Sequence, residues 1–172
     1  MKTILSKQDI LNLIGQKPPL IDACPNLSEQ VQTNGFDLTV QEVAVIRSPG
    51  TIAISNTDRV ISGLEPLISD SLGFFSLSPR SYVITFNEIV SLPKDVMALG
   101  APRSSLLRCG VTVNMAVWDA GYSGRGQALL TVLNPQGFRL QKNARVAQLV
   151  FFQLAAETEG YKGQYQGENI KK

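Results

Sequence analysis

Short stretches of alternating apolar and polar residues run through most of the chain, while a helical stripe occurs near its start. There Ile10, Leu11, Leu13 and Ile14 follow Ser6-Lys7-Gln8-Asp9. Ser6 can accept from free amides and Asp9 can answer as the acidic partner of a capping box, which predicts a helix over about 6–14. Gly15 and Pro18-Pro19 end it. Beyond it, seven segments rich in Val, Ile, Phe, Leu and Thr read as strands: Phe36 to Ile46, Thr51 to Ile54, Phe74 to Leu77, Tyr82 to Phe86, Val111 to Val117, Gln127 to Leu133 and Arg145 to Leu154. Turn signals such as Ser48-Pro49-Gly50, Ser78-Pro79-Arg80, Ala120-Gly121 and Asn134-Pro135-Gln136-Gly137 separate them. With no long helix between strands, a doubly wound α/β fold is not expected; an all-β sandwich, jelly roll or distorted barrel is. Neither a tandem repeat nor a Gly/Ser linker divides the chain, so residues 1–172 read as one domain. The polar, glycine-rich tail at about 160–172 carries Tyr161 and Tyr165 and reads either as a frayed end or as a flap over a ligand.

Composition narrows the chemistry. Apolar residues make up 44% and charged ones 17%, enough burial to offset chain entropy, and the net charge is +2. That small charge gives no clustered basic surface, so nucleic acid is not an expected partner. No apolar run is long enough to cross a bilayer, and Met1 to Ser6 turns polar too soon for a signal peptide. Cys24 and Cys109 are too few for a disulfide framework, so a reducing, cytoplasmic setting without a membrane is expected. The chain has no histidine, which excludes His-based triads, imidazole bases and His metal ligands. Catalysis must draw on carboxylates, Arg or Lys, hydroxyls, amides or an oxygen-liganded Mg²⁺ carried on phosphates.

Three places could do such chemistry. Arg103-Ser104-Ser105-Leu106-Leu107-Arg108 sets two guanidiniums and two hydroxyls where they can surround phosphate oxygens, or simply form a solvated surface turn. In Trp118-Asp119-Ala120-Gly121-Tyr122-Ser123-Gly124, Asp119 can be an Asx-turn acceptor or a carboxylate that orients a water, with Tyr122 facing a sugar or base. Gln148 stands among Val146, Ala147, Leu149, Val150, Phe151 and Phe152, where an amide needs partners from protein or ligand; Asn114 and Gln127 raise the same question.

Taken together, five blocks resemble the superfamily of deoxyuridine triphosphatases (dUTPases) and deoxycytidine triphosphate (dCTP) deaminases, most closely its archaeal-type dUTPases. The blocks are Asn34-Gly35-Phe36-Asp37-Leu38; Arg103 to Arg108, similar to the family's Arg-Ser-Ser-Leu-Ala-Arg; Val117 to Gly124; Ala144 to Val150, similar to Arg-Ile-Ala-Gln-Leu; and Tyr161 to Gly167. The resemblance implies a distorted β-barrel or jelly-roll-like fold with a short N-terminal helix and a C-terminal flap. It places Asp37 near Mg²⁺ and its waters, and Ser104, Ser105, Arg108 and Gln148 around phosphates, with Arg103 shared between phosphate and a subunit contact. It makes Asp119 the carboxylate that positions the attacking water, sets Tyr122 against deoxyribose and puts backbone near Met115 on the pyrimidine edge. Tyr161 and Lys162 would close over phosphates and Gln166 would meet the base. It also implies closed homotrimers with sites between subunits.

One departure bears on the reaction. Family deaminases carry a catalytic Glu ten residues after the hairpin Asp, and here that position is Leu129, which cannot move protons. The expected activity is therefore Mg-assisted hydrolysis of dUTP to dUMP and pyrophosphate. The alternatives are dCTP deamination, or a nucleotide-binding regulator without turnover. Gln164 also stands where deaminases commonly carry Lys, one cation fewer in the tail.

Overall fold

A computed structural model describes residues 3–170; the last two residues of the expected flap, 171 and 172, lie outside the described residues. The chain opens with helix α1 (Lys7–Ile14), then β1 (Ile21–Asp22), α2 (Leu27–Gln30), β2 (Val31–Gln32), the long β3 (Gly35–Ile46), a 3₁₀ turn (Asn56–Asp58) and β4 (Leu64–Pro66). Next come β5 (Phe74–Leu77), β6 (Ser81–Phe86), β7 (Ile89–Ser91) and β8 (Val96–Pro102), helix α3 (Ser104–Arg108) and β9 (Val111–Asn114). The final strands are β10 (Ser123–Gly124), β11 (Gln127–Val132), β12 (Phe138–Gln141) and β13 (Arg145–Gln153).

The expected helix forms with its capping box: the Ser6 hydroxyl accepts from the Asp9 amide, and the Asp9 carboxylate accepts from the Ser6 amide at 3.1 Å. Ile10 is its fully buried residue. The main sheet runs β8-β13-β3-β6-β11-β9, with β2 and β4 also pairing β3; β1-β7-β10 and β12-β5 form two smaller sheets. All of these pairings are antiparallel. The main sheet curls until its ends meet, because Ala98 beside β13 and Trp118 beyond β9 exchange backbone hydrogen bonds of 2.9 and 3.0 Å. The fold is thus a distorted, nearly closed β-barrel of jelly-roll type. Phe36, Leu38, Ile84, Phe86, Leu149 and Phe151 are wholly buried inside it.

β3 is the axis of this packing. Phe36 lies opposite Leu149 and Leu38 opposite Ala147 on β13, while Val43 faces Ile84 on β6. A bulge interrupts its pairing with β6 between Val40 and Glu42, and a buried polar clamp sits beside it. The Glu88 carboxylate accepts from the Thr39 amide at 2.9 Å, the Thr39 hydroxyl at 2.5 Å and the Gln30 amide nitrogen at 2.7 Å. The Asn87 side chain adds bonds to Thr39, Val40 and Asn143. The irregular backbone at Thr39 and Val40 thereby finds partners within the protein.

The structure corrects several element boundaries. Thr51 to Ile54 is not a strand; a lone bridge joins Thr51 to Val60, and Ile52 and Ile54 are exposed. β propensity without a paired, buried face does not hold a strand. β9 stops at Asn114 instead of running to Val117, because the chain leaves β11 there. β8 was not among the expected strands; it contains Gly100 and Pro102, residues that weaken a strand pattern, yet Gly100 pairs with Leu149 and Pro102 with Ala147 on β13. The arginine–serine segment, for which a solvated surface turn was one reading, is instead a short helix at Ser104–Arg108, anchored by buried Leu106.

Replacing Phe36 by Ala should remove about 3–5 kcal/mol of stability through lost contact and a residual cavity; the midpoint of denaturant unfolding measures it, and an unchanged midpoint contradicts this core. Burial pushes the Glu88 carboxyl above its ordinary range, opposed by its bonds from Thr39 and Gln30. Between the ordinary and the raised value the folded chain binds more protons than the unfolded one, so this group's contribution to stability falls as pH rises through that window. Denaturation across pH 4–8 should show a flatter dependence for Glu88→Gln than for the natural chain.

Candidate active site

The Ala98–Trp118 bridge fixes where the chain turns toward β10. Just after it, the Tyr122 amide donates to the Asp119 carbonyl at 3.1 Å, and the Gly121 amide to Pro93 at 3.2 Å. The Trp118 ring packs against Phe86 with centroids 6.3 Å apart and meets Tyr122 edge-on at 5.3 Å. Tyr122 in turn meets Tyr161 of the tail at 5.8 Å. Trp118, Tyr122 and Tyr161 bound a cavity of about 490 Å³ whose wall also includes Ile61, Val117, Asp119, Gln127, Tyr165 and Glu168. Asp119 is exposed there while Tyr122 is almost buried. A carboxylate open to solvent beside a rigid aromatic wall can hold a water against a bound molecule.

The tail lies along this turn at 119–124. The Tyr161 amide donates to the Ala120 carbonyl at 2.8 Å, and the Gly167 amide to Ser123 at 2.7 Å. The Gln166 side chain accepts from the Ser123 amide at 3.0 Å and donates to the Gly121 carbonyl at 3.1 Å. Its amide is therefore spent on the hairpin backbone in this arrangement. The Arg125 amide donates to the Glu168 carbonyl at 2.9 Å, and Arg125 and Asn169 exchange side-chain bonds with each other's carbonyls. The Arg125 guanidinium also donates to the Asn87 carbonyl, tying the tail to β6. Arg59 reaches Gln164 from the 50–62 loop. The tail passes so close to Gly121 that a side chain there would stand 2.6 Å from the Gly160 Cα, and Gly121 has φ +81°, so such a side chain has neither room nor a relaxed backbone. Lys162 pairs with Glu159 at 2.6 Å, both exposed, an arrangement worth little on its own.

A second group gathers where β3, β8 and β13 adjoin α3. Asp37 is buried, and its carboxylate meets Arg103 at 3.1 Å and Arg145 at 3.5 Å. Burial raises its protonation range, and Arg103 and then Arg145 draw it back. Gln148 on β13 lies between Asp37 on β3 and Ala101 on β8, while Ser104, Ser105 and Arg108 are exposed on α3. Met115 is part-buried over Gly100, its thioether filling the space a side chain there would need. None of Arg103, Ser104, Ser105, Arg108 or Gln148 lines the cavity beside Asp119. A groove of about 500 Å³ between Ser76–Pro79 and Pro135–Arg139 contains none of the candidate residues either. Among the described residues, no cluster of three or more carboxylates or cysteines could cage a metal.

The aromatic wall has a further contributor absent from the sequence reading. Glu168 accepts from the Tyr122 hydroxyl at 2.9 Å across 46 positions. No local spacing signals such a contact, since the tail's docking alone creates it.

A sequence profile of dCTP deaminase-like proteins matches residues 4–154. The chain belongs to that family. It is 43% identical, over 98% of its own length and 99% of the relative's, to a probable deoxyuridine 5'-triphosphate nucleotidohydrolase of Methanococcoides burtonii. It is 36% identical to the deoxyuridine 5'-triphosphate nucleotidohydrolase of Methanocaldococcus jannaschii, over 81% of this chain and 88% of that one. Among solved structures, the fold is similar to 2'-deoxycytidine 5'-triphosphate deaminase from Agrobacterium tumefaciens, with TM-score 0.64 and 21% identity. That match covers 88% of this chain but 48% of the deaminase chain, so this protein spans about half its length.

Gly121→Ala should loosen the tail, because the new methyl would stand 2.6 Å from Gly160 Cα and 2.9 Å from the Tyr161 nitrogen. Limited proteolysis is expected to cut residues 160–170 faster in this variant than in the natural chain; equal cutting rates would contradict the docking.

Proposed function

We propose that this member of the dCTP deaminase-like family hydrolyses dUTP to dUMP and pyrophosphate, acting as one domain over residues 1–172. The carrying observation is Asp119, a solvent-open carboxylate in the cavity wall beside Tyr122. Leu129, by contrast, stands on β11 opposite Asn114 and Val83 where a deaminase would need a carboxylate. The activity of the archaeal relatives supports the same reading.

In this mechanism Tyr122 packs against the deoxyribose, backbone near Met115 reads the pyrimidine edge, and Asp119 aligns a water with the α-phosphorus. The water's oxygen bonds to phosphorus as the bond to the bridging oxygen breaks. Pyrophosphate leaves with that electron pair, and Asp119 accepts the water's proton. Ser104, Ser105, Arg108, Gln148 and Lys162 neutralise and hold the phosphates, and Arg103 serves both this set and a subunit contact. Tyr161 and Gln166 close the nucleoside end. The substrate is the magnesium complex of the triphosphate. The residues present do not form a protein cage for Mg²⁺, since Asp37 is engaged by two arginines, and a contact from Asp37 would run through a water on that complex.

The phosphate-type residues lie outside the Asp119 cavity of one chain, which supports a homotrimer whose sites join the two groups across subunits. No helix among the described residues is long and apolar enough to cross a membrane. The proposed setting is the cytoplasm, with neither a membrane nor a nucleic acid as partner.

Asp119→Asn should retain dUTP binding by calorimetry while turnover drops by about 10²–10⁴; full pyrophosphate release by that variant overturns the assignment. An assay offering dUTP, dCTP and dTTP separately should release pyrophosphate from dUTP and no ammonia from dCTP. Sedimentation velocity should show a trimer, and an active monomer refutes the shared site.

A further inference from the structure

We propose that Glu168 is a positioning residue that sets how strictly the site rejects a ribose, by holding the hydroxyl of Tyr122. The inference rests on the reading of Tyr122 as the wall against the sugar.

Three observations carry it. The Tyr122 hydroxyl donates to Glu168 at 2.9 Å, while the rest of the residue is almost wholly buried. A buried hydroxyl that loses its acceptor cannot turn to bulk water, so the bond restrains the ring more than an exposed one would. Space is also set aside for the pair: a side chain at Gly124 would stand 2.8 Å from the Tyr122 Cζ and 3.2 Å from the Glu168 Cγ. Finally, Trp118 and Tyr161 clamp the ring edge-on at 5.3 and 5.8 Å, leaving the hydroxyl end to Glu168.

A wall excludes a 2′-hydroxyl only if it cannot yield. With Glu168 in place, admitting a ribose requires moving a ring braced at both ends. Without it, the ring can tilt toward Gly124 and give room. The tail stays docked without the carboxylate, because the Glu168 carbonyl, the Gly167 amide and the Gln166 side chain hold it independently. Discrimination is then separable from closure.

The experiment compares kcat/KM for dUTP and UTP in the natural enzyme, Glu168→Ala, Glu168→Gln, Tyr122→Phe and the Glu168→Ala/Tyr122→Phe double variant. Glu168→Ala should lower the dUTP-to-UTP ratio about tenfold, the scale of one hydrogen bond to a charged group. Glu168→Gln keeps an acceptor and should keep most of the ratio. Tyr122→Phe should match Glu168→Ala, and the double variant should add nothing, as two ends of one bond require. Equal loss on both substrates, or an unchanged ratio in Glu168→Ala and Tyr122→Phe, overturns the inference. Tyr122→Ala separates the two levels: if it leaves the ratio intact while dUTP is still hydrolysed, the sugar-wall reading itself is wrong. If it collapses the ratio and Glu168→Ala does not, the role of Glu168 alone is wrong.

Discussion

Two backbone hydrogen bonds between Ala98 and Trp118 decide the geometry of the site. They join β8, at one end of the main sheet, to the segment that follows β9 at the other end, and so turn a sheet into a barrel. They also end the excursion of the chain beyond β9 and set the direction in which residues 119–124 leave. Trp118 is held by its backbone on Ala98 and by its ring on Phe86. Asp119 is thus presented to solvent from a rigid base rather than from a loose loop, as the alignment of a water proposed for it demands.

The second organising constraint is contact between two stretches of backbone. The tail reaches the hairpin at Gly121 and is held by amide and carbonyl groups along 120–125. Such contacts depend little on side-chain identity, so the docking of the tail resides in where its glycines and amides fall. On this frame the polar tail side chains divide into those that fasten, as Gln166 does, and those that face the cavity, as Tyr161, Tyr165 and Glu168 do. Elsewhere charge is neutralised within the protein: two arginines meet the buried Asp37 carboxylate, and three hydrogen bonds meet that of Glu88. Each is a buried acid whose cost is offset locally.

Local pattern reached the long or self-contained elements. The Ser6–Asp9 box marked α1 because capping involves groups three residues apart. β3, β6, β11 and β13 showed their runs of Val, Ile, Leu and Phe because they line the core. β8 was not among the expected strands; its glycine and proline weaken a strand pattern, and its strand character comes from pairing with β13. Thr51 to Ile54 erred the other way, with suitable residues and no partner to pair them.

The composition by itself determined that no histidine chemistry operates here and that carboxylates, Arg or Lys, hydroxyls, amides or a phosphate-borne metal are what remain. Its short motifs singled out Asp119, Tyr122, Arg108 and Gln148 as the residues to examine. Only the tertiary structure decided that Tyr122 rests on Trp118, Tyr161 and Glu168, that Asp37 is taken by Arg103 and Arg145, and that the phosphate-type residues stand outside the Asp119 cavity. The reason is one of range: caps, turns and alternation join near neighbours, whereas a site's walls and charge partners meet across tens of residues through closure of the sheet and docking of the tail.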